Sequence, residues 1–228
     1  TISWGIPFPG DTKHVTYVWA DALNNYITAV GYGDQSRARD FAKWWPADLQ
    51  ILGKDILRFH AVYWPAFLMA SNLQLPKHLL VHGWIKVGDQ KMSKSLGNVV
   101  DPDLLLEEYG PDAIRYYLAS QLAVTHDSNF DLNSLREILS ADLANSLGNL
   151  LSRSVSLALK HNVELVSRPR SFTVQSQMIL DLIKLTAQKN KDLMAEYSYH
   201  MAISETNRLI ARVNAYFHEL EPWQVVKT

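Results

Sequence analysis

The sequence predicts an α/β segment built on a parallel sheet, followed by an all-helical segment, with the change of character between residues 122 and 130. Three observations predict it. Up to about residue 125, short apolar runs of strand type alternate with amphipathic stretches, the pattern of parallel strands joined through helices. Beyond about residue 130 the apolar spacing is helical and no convincing strand remains. A chain of 228 residues with 47% hydrophobic content also has enough apolar surface to fill one or two cores.

In order along the chain, residues 15–19 (VTYVW) read as a strand, since β-branched and aromatic side chains suit a pleated, half-buried surface. Residues 21–30 form an amphipathic helical stretch that Gly31 and Gly33 end. Residues 49–52 are a second strand. Residues 55–70 are a helix interrupted before Pro65, because proline lacks the N–H an interior turn needs. Residues 79–81 make a third strand, and Ile85-Lys86-Val87, Gly88-Asp89 and Gln90 read as a hairpin. Asp101-Pro102 is a helix start. Residues 132–160, 173–197 and 201–220 read as helices, with Pro222 closing the last and 162–173 as a connecting loop. On an open parallel sheet, ligands settle at the carboxyl ends of strands, and the chemical motifs fall there.

Charge narrows the function classes. The net charge is −1, so any polyanion contact must rest on local patches rather than on bulk charge. The absence of cysteine excludes disulfides and thiolate metal sites within these residues. None of the eight histidines pairs at metal-ligand spacing, so no metal site is predicted. No apolar run reaches membrane-spanning length; the most apolar, residues 61–70, is short and contains Pro65. The first residues show neither an initiator Met nor a signal-peptide pattern and read as a cut within a longer chain, with the cytoplasm as the expected setting.

The most informative string is Lys91-Met92-Ser93-Lys94-Ser95-Leu96-Gly97-Asn98, between the hairpin and the Asp101-Pro102 helix start. Two lysines three apart, with hydroxyls and a glycine, suit a loop that wraps a polyphosphate. Each ammonium is a compact charge that offsets the charge growing on a departing pyrophosphate. The string resembles the second ATP-binding signature of class I aminoacyl-tRNA synthetases. That resemblance implies a Rossmann-like catalytic domain in which Lys91 and Lys94 are catalytic, with Met92, Ser93 and Ser95 completing an ATP-binding loop that moves during the reaction. It also implies ATP with Mg2+ as substrate and tRNA as partner. The family's other ATP signature, a HIGH-type tetrapeptide, does not occur in the sequence, so the isolated chain is expected to be incomplete for catalysis.

Three further segments narrow the resemblance to the methionyl branch. They are Val18-Trp19-Ala20-Asp21-Ala22 with Tyr26, Gly53-Lys54-Asp55-Ile56-Leu57-Arg58-Phe59-His60 with Tyr63-Trp64-Pro65, and Val81-His82-Gly83-Trp84. The resemblance implies methionine binding by Trp19, Ala22, Tyr26, Ile56 and His60. It adds Gly53, Asp55, His82 and Gly83 to the ATP site. Physical reading agrees: a thioether is apolar and polarizable and favours aromatic edges, and Asp55 after a strand end can accept ribose hydroxyls. Trp19 and Trp64 remain open between pocket and core. Trp44-Trp45-Pro46, Phe59 and Tyr63 are assigned to packing.

In the helical segment, Asn145, Asn149 and Arg153 recur at i, i+4 and i+8, a polar stripe opposite Leu147, Leu150, Val155 and Leu157. Amide and guanidinium groups suit the edges of unpaired bases, and aromatic rings suit their faces. Asn149-Leu150-Leu151-Ser152-Arg153 and Glu221-Pro222-Trp223 resemble two stretches of the family's anticodon-binding domain, which implies anticodon contacts by Asn149, Arg153 and Trp223. Asn145 is left open between a base contact and a helix contact. The expected domains are residues 1–128, catalytic, and 129–228, anticodon-binding. The expected activity is ligation of methionine to its tRNA. A class I synthetase for another apolar amino acid and a catalytically inactive tRNA-binding module are the alternatives.

Overall fold

The computed structural model describes residues 6–16, 19–88, 90–92, 97, 99–161 and 171–225. It divides into two compact units, Thr1–His82 and Gly83–Thr228.

The first unit begins with an antiparallel hairpin, β1 (Ile6–Phe8) and β2 (Asp11–Thr16), turned at Gly10 with φ +80°. The strand expected at 15–19 therefore lies earlier, and Trp19 opens helix α1 (Trp19–Ala29) instead. The cause is the positive-φ glycine, which sets the hairpin upstream and leaves the helix-compatible run from Trp19 free to pack. α1 buries Leu23 and Ile27, four residues apart on one face. A short helix that the periodicity did not reveal, α2 (Ala38–Trp44), follows a 3-10 turn capped by the Asp34 carboxylate. Strands β3 (Gln50–Gly53) and β4 (Leu79–His82) pair in parallel, from Gln50 opposite Leu79 to Gly53 opposite His82.

The crossover from β3 to β4 passes through a 3-10 turn at Lys54–Ile56, π-helical turns at Phe59–Tyr63 and helix α3 (Trp64–Ala70). The expected interruption before Pro65 is thus a widening of the helix. Trp64 N–H reaches back to Phe59 O, five residues away, and Pro65, which has no N–H to offer, sits in the first turn of α3. The core of this unit is Leu23, Ile27, Trp45, Trp64 and Leu68. Trp45, read as structural, is buried there, its indole N–H donating to Gln74 O at 3.0 Å, whereas Trp44 is exposed.

In the second unit, β5 (Ile85–Val87) pairs antiparallel with β6 (Gln90–Lys91) around Gly88 at φ +58°, the hairpin predicted from the sequence. β5 also pairs in parallel with β7 (Ser128–Asn129). Between them run α4 (Pro102–Tyr109), whose first turn is capped by Asp101 accepting from Asp103 N–H at 2.9 Å, and α5 (Pro111–Gln121). A second core joins Ile114, Tyr117, Phe130 and Leu135.

From α6 (Leu132–Ile138) onward every described element is helical: α7 (Asn149–Lys160), α8 (Val174–Ala195), α9 (Tyr199–Leu220) and the short α10 (Pro222–Val225). The helix expected over 132–160 is widened to a π-helix over Leu139–Gly148. Asp142 and the Ser146 carbonyl in that stretch bind side chains of α9, which draws the widened turns toward it. The loop expected at 162–173 lies, for residues 162–170, outside the described residues. Among the described residues, no helix is long and apolar enough to cross a membrane.

Candidate functional site

At the carboxyl ends of the parallel pair, Gly53 and His82 stand opposite each other. A Cβ on Gly53 would lie 2.7 Å from Asp55 Oδ1 and 3.7 Å from the His82 ring. The missing side chain is therefore what lets the Asp55 carboxylate fold back over the strand end, and a bare backbone with an acceptor above it is suited to a ribose.

Beside this strand end is an aromatic cluster. His60 is 2% exposed. Its Nδ1 lies 3.0 Å from Ile56 O and its Nε2 lies 2.9 Å from Tyr26 Oη. A carbonyl only accepts, so Nδ1 donates to it, and Nε2 shares a hydrogen bond with the Tyr26 hydroxyl. The ring of Trp19 stacks on Phe59 at 4.5 Å, and Tyr26 lies 6.1 Å from Trp64. Trp64 is only 1% exposed and belongs to the core, with its indole N–H buried and unpartnered. Trp19 and Ile56 are half-buried, and Ala22 is exposed on α1. The π-helical turns carry this geometry, since they present Phe59 to Trp19 while His60 faces Tyr26. Such walls, apolar and aromatic with one hydrogen-bonded polar pair, suit a polarizable apolar side chain.

In the second unit, Lys91 ends the hairpin directly across from Lys86, and Met92 is half-buried. Ser93, Lys94 and Ser95 lie outside the described residues. Gly83 has a steric reason to be glycine. A Cβ there would come within 2.2 Å of the His126 carbonyl group and 2.5 Å of Asp127 N.

The helical residues separate into two groups. Arg153 and Trp223, distant in sequence, come together. The Arg153 guanidinium lies 5.2 Å from the Phe217 ring and 5.9 Å from the Trp223 ring, and its Nη1 donates to His218 Nε2 at 3.2 Å. A pocket of about 280 Å3 beside them is lined by Arg153, Ser156, Leu157, Lys160, Phe217 and Trp223. Phe217 and His218 were not anticipated, because nothing local marks them; the end of α9 delivers them beside α7. Asn149 and Asn145 are exposed, but their amide donors are engaged along their own helix. Asn149 Nδ2 donates to Asn145 O at 2.9 Å, and Asn145 Nδ2 to Ser140 Oγ at 3.4 Å. The apolar face opposite the stripe is incompletely covered, with Leu147 and Val155 44% and 47% exposed.

One polar node ties α5, the π-helix and α9 together. The Tyr116 hydroxyl donates to Asp142 Oδ2 at 2.8 Å, and Asn207 Nδ2 donates to both oxygens at 2.9 and 3.0 Å. Burial, reinforced by the Asp142 carboxylate and opposed by the Asn207 hydrogen bond, pushes the Tyr116 phenol up to about 12. Among the described residues, no cluster of three His, Asp or Glu side chains is placed to hold a metal ion.

Residues 1–155 match the family model described as tRNA synthetases class I (M). The chain belongs to this class I synthetase family. Among similar proteins, a methionine–tRNA ligase of Brucella suis is 45% identical over all 228 residues, which span 44% of its length. One of Halalkalibacterium halodurans is 43% identical, and the chain spans 34% of it. A Mycobacterium tuberculosis methionyl-tRNA synthetase, solved in complex with methionyl-adenylate, superposes with a TM-score of 0.87 at 37% identity, covering the whole chain and 45% of that protein. The chain thus spans less than half the length of these class I relatives.

Proposed function

We propose that the polypeptide carrying this chain joins methionine to its tRNA. The methionine carboxylate attacks the α-phosphate of ATP bound with Mg2+, pyrophosphate leaves, and a terminal ribose hydroxyl of the tRNA then displaces AMP from the methionyl-adenylate. In the first unit, Trp19, Ala22, Tyr26, Ile56 and His60 receive methionine, while Gly53, Asp55 and His82 take the nucleoside of ATP. In the second, Gly83 and the loop Lys91, Met92, Ser93, Lys94 and Ser95 serve the polyphosphate, Lys91 and Lys94 stabilising the charge that develops on it. Asn149, Arg153 and Trp223 contact the anticodon.

By role, the chain divides into a Rossmann-like catalytic part, residues 1–128, and a helical anticodon-binding part, residues 129–228; the last strand, Ser128–Asn129, lies at that border. The cytoplasm is the setting that fits this activity. The observation that carries the amino-acid assignment is the Tyr26–His60 pair at 2.9 Å within an aromatic cluster, which offers a thioether polarizable contacts.

The test is amino-acid-dependent ATP–pyrophosphate exchange by the natural polypeptide that contains these residues, across a panel of amino acids. Exchange with methionine alone is expected. Exchange with leucine or valine instead would keep the family and discard the pocket. Tight tRNA binding without exchange for any amino acid would leave a binding module.

A further inference from the structure

The contact between α7 and the end of α9 assigns a role to a residue outside the family-derived set. A guanidinium can only donate, so His218 Nε2, 3.2 Å from Arg153 Nη1, must present its lone pair; the histidine proton is then on Nδ1 and the ring is neutral. The same imidazole meets the Trp223 ring nearly edge-on, at 5.8 Å and 79°. Phe217, its neighbour on α9, lies 6.0 Å from Trp223 and 5.2 Å from the guanidinium. One hydrogen bond therefore fixes where the Arg153 cation stands over two aromatic rings at the edge of the pocket that Lys160 also lines.

We infer that His218 is a positioning residue for nucleic-acid recognition: as a neutral acceptor it holds the Arg153 guanidinium across Phe217 and Trp223, in the arrangement that receives an unpaired base. The inference rests on the tRNA-binding reading of this face and adds to it the residue that sets the arginine's geometry. An arginine free to rotate carries the same charge but presents its donors in many directions, so ordering it in advance lowers the cost of binding. His218 is exposed and reaches protons from solvent. Protonation converts Nε2 into a donor and places a second cation against Arg153. Arg153 on α7 meets the histidine directly, Lys160 lines the pocket beside Arg153, Glu219 next to it on α9 is held by Arg212 at 2.9 and 3.3 Å, and Glu221 accepts from Gln224 at 2.7 Å. Both acidic neighbours are thus engaged with other donors, and the cation nearest the ring is Arg153 itself.

The experiment is steady-state charging of tRNA by the natural polypeptide as a function of tRNA concentration and pH, with pyrophosphate exchange as a check that the fold is intact. The variants are Arg153→Ala, His218→Ala and His218→Gln; the glutamine keeps an acceptor oxygen but does not titrate. His218→Ala is expected to raise KM for tRNA about five- to tenfold with little change in kcat, and His218→Gln to recover most of the loss. Wild-type KM should rise as pH falls and the ring gains a proton, and the glutamine variant should show a flatter profile.

A normal KM in His218→Ala while Arg153→Ala is impaired would overturn the inference and leave the tRNA-binding reading standing. So would equal impairment in the alanine and glutamine variants, or identical pH profiles for wild type and His218→Gln. A normal KM in Arg153→Ala would remove the tRNA-binding reading of this face and the inference with it.

Discussion

Replacing Gly83 by alanine isolates the demand for a close approach between two backbone segments. The new methyl would stand 2.2 Å from the carbonyl carbon and oxygen of His126 and 2.5 Å from Asp127 N, well inside van der Waals contact with main-chain atoms that cannot rotate away. Relief requires the segments to part. Four hydrogen bonds span this approach: Gly83 N–H to Val124 O at 3.0 Å, Trp84 N–H to Asp127 Oδ1 at 3.0 Å, Ser128 N–H to Trp84 O at 3.0 Å, and Phe130 N–H to Lys86 O at 2.7 Å. Overpacking costs about 1–3 kcal/mol and each weakened hydrogen bond about 1 kcal/mol; with the two bonds donated by Gly83 and Trp84 weakened, Gly83→Ala should destabilise the second unit by about 3–5 kcal/mol. The assay is amide hydrogen exchange at Trp84, Ser128 and Phe130, with urea unfolding of the same polypeptide. Unchanged protection with less than about 1 kcal/mol lost would refute the steric reasoning. If ATP affinity alone fell, Gly83 would be glycine for the nucleotide and not for the fold.

Tyr26→Phe should strip the buried Nε2 of His60 of its hydrogen-bond partner, costing about 1–3 kcal/mol and raising KM for methionine several-fold; stability and KM both unchanged would show that the pair is incidental. Lys94→Ala should slow adenylate formation by about 2–4 kcal/mol of barrier with methionine affinity retained, and lost methionine binding with normal turnover would reassign the residue. Tyr116, with its phenol pushed up to about 12, holds its proton in the folded state where the unfolded chain has released it. Its contribution is therefore present below about pH 10 and is lost as pH rises from there toward 12. Ultraviolet titration of Tyr116→Phe should remove the late tyrosinate transition; loss of one in the ordinary range would contradict the node.

Much of the fold was legible locally. β3 and β4 fell within a residue of the expected strands, and the hairpin at Gly88 and the Asp101-Pro102 start appeared where turn and cap chemistry placed them, because those choices depend on neighbours in sequence. α2 stayed hidden, its seven residues burying no side chain fully and so giving the periodicity little to show. Trp19 was misassigned to a strand because β-propensity depends on which partner a strand finds, and Gly10 decided that upstream.

The candidate sites divide along the same line. The sequence by itself determined the chemical types and the family: the KMSKS string, the paired aromatic segments, and a glycine followed two residues later by an aspartate at a strand end. Only the tertiary structure decided which groups meet. It gave His60 Nδ1 a carbonyl and Nε2 a hydroxyl as partners, and it placed Trp64, which the sequence left open between pocket and core, in the core. It also tied the Asn145 and Asn149 amides to groups of their own helix and placed His218 against Arg153 across 65 residues of sequence. The physical reason is that hydrogen-bond direction and ring contact depend on distances between elements remote in the chain, which residue spacing along a single helix or strand does not encode.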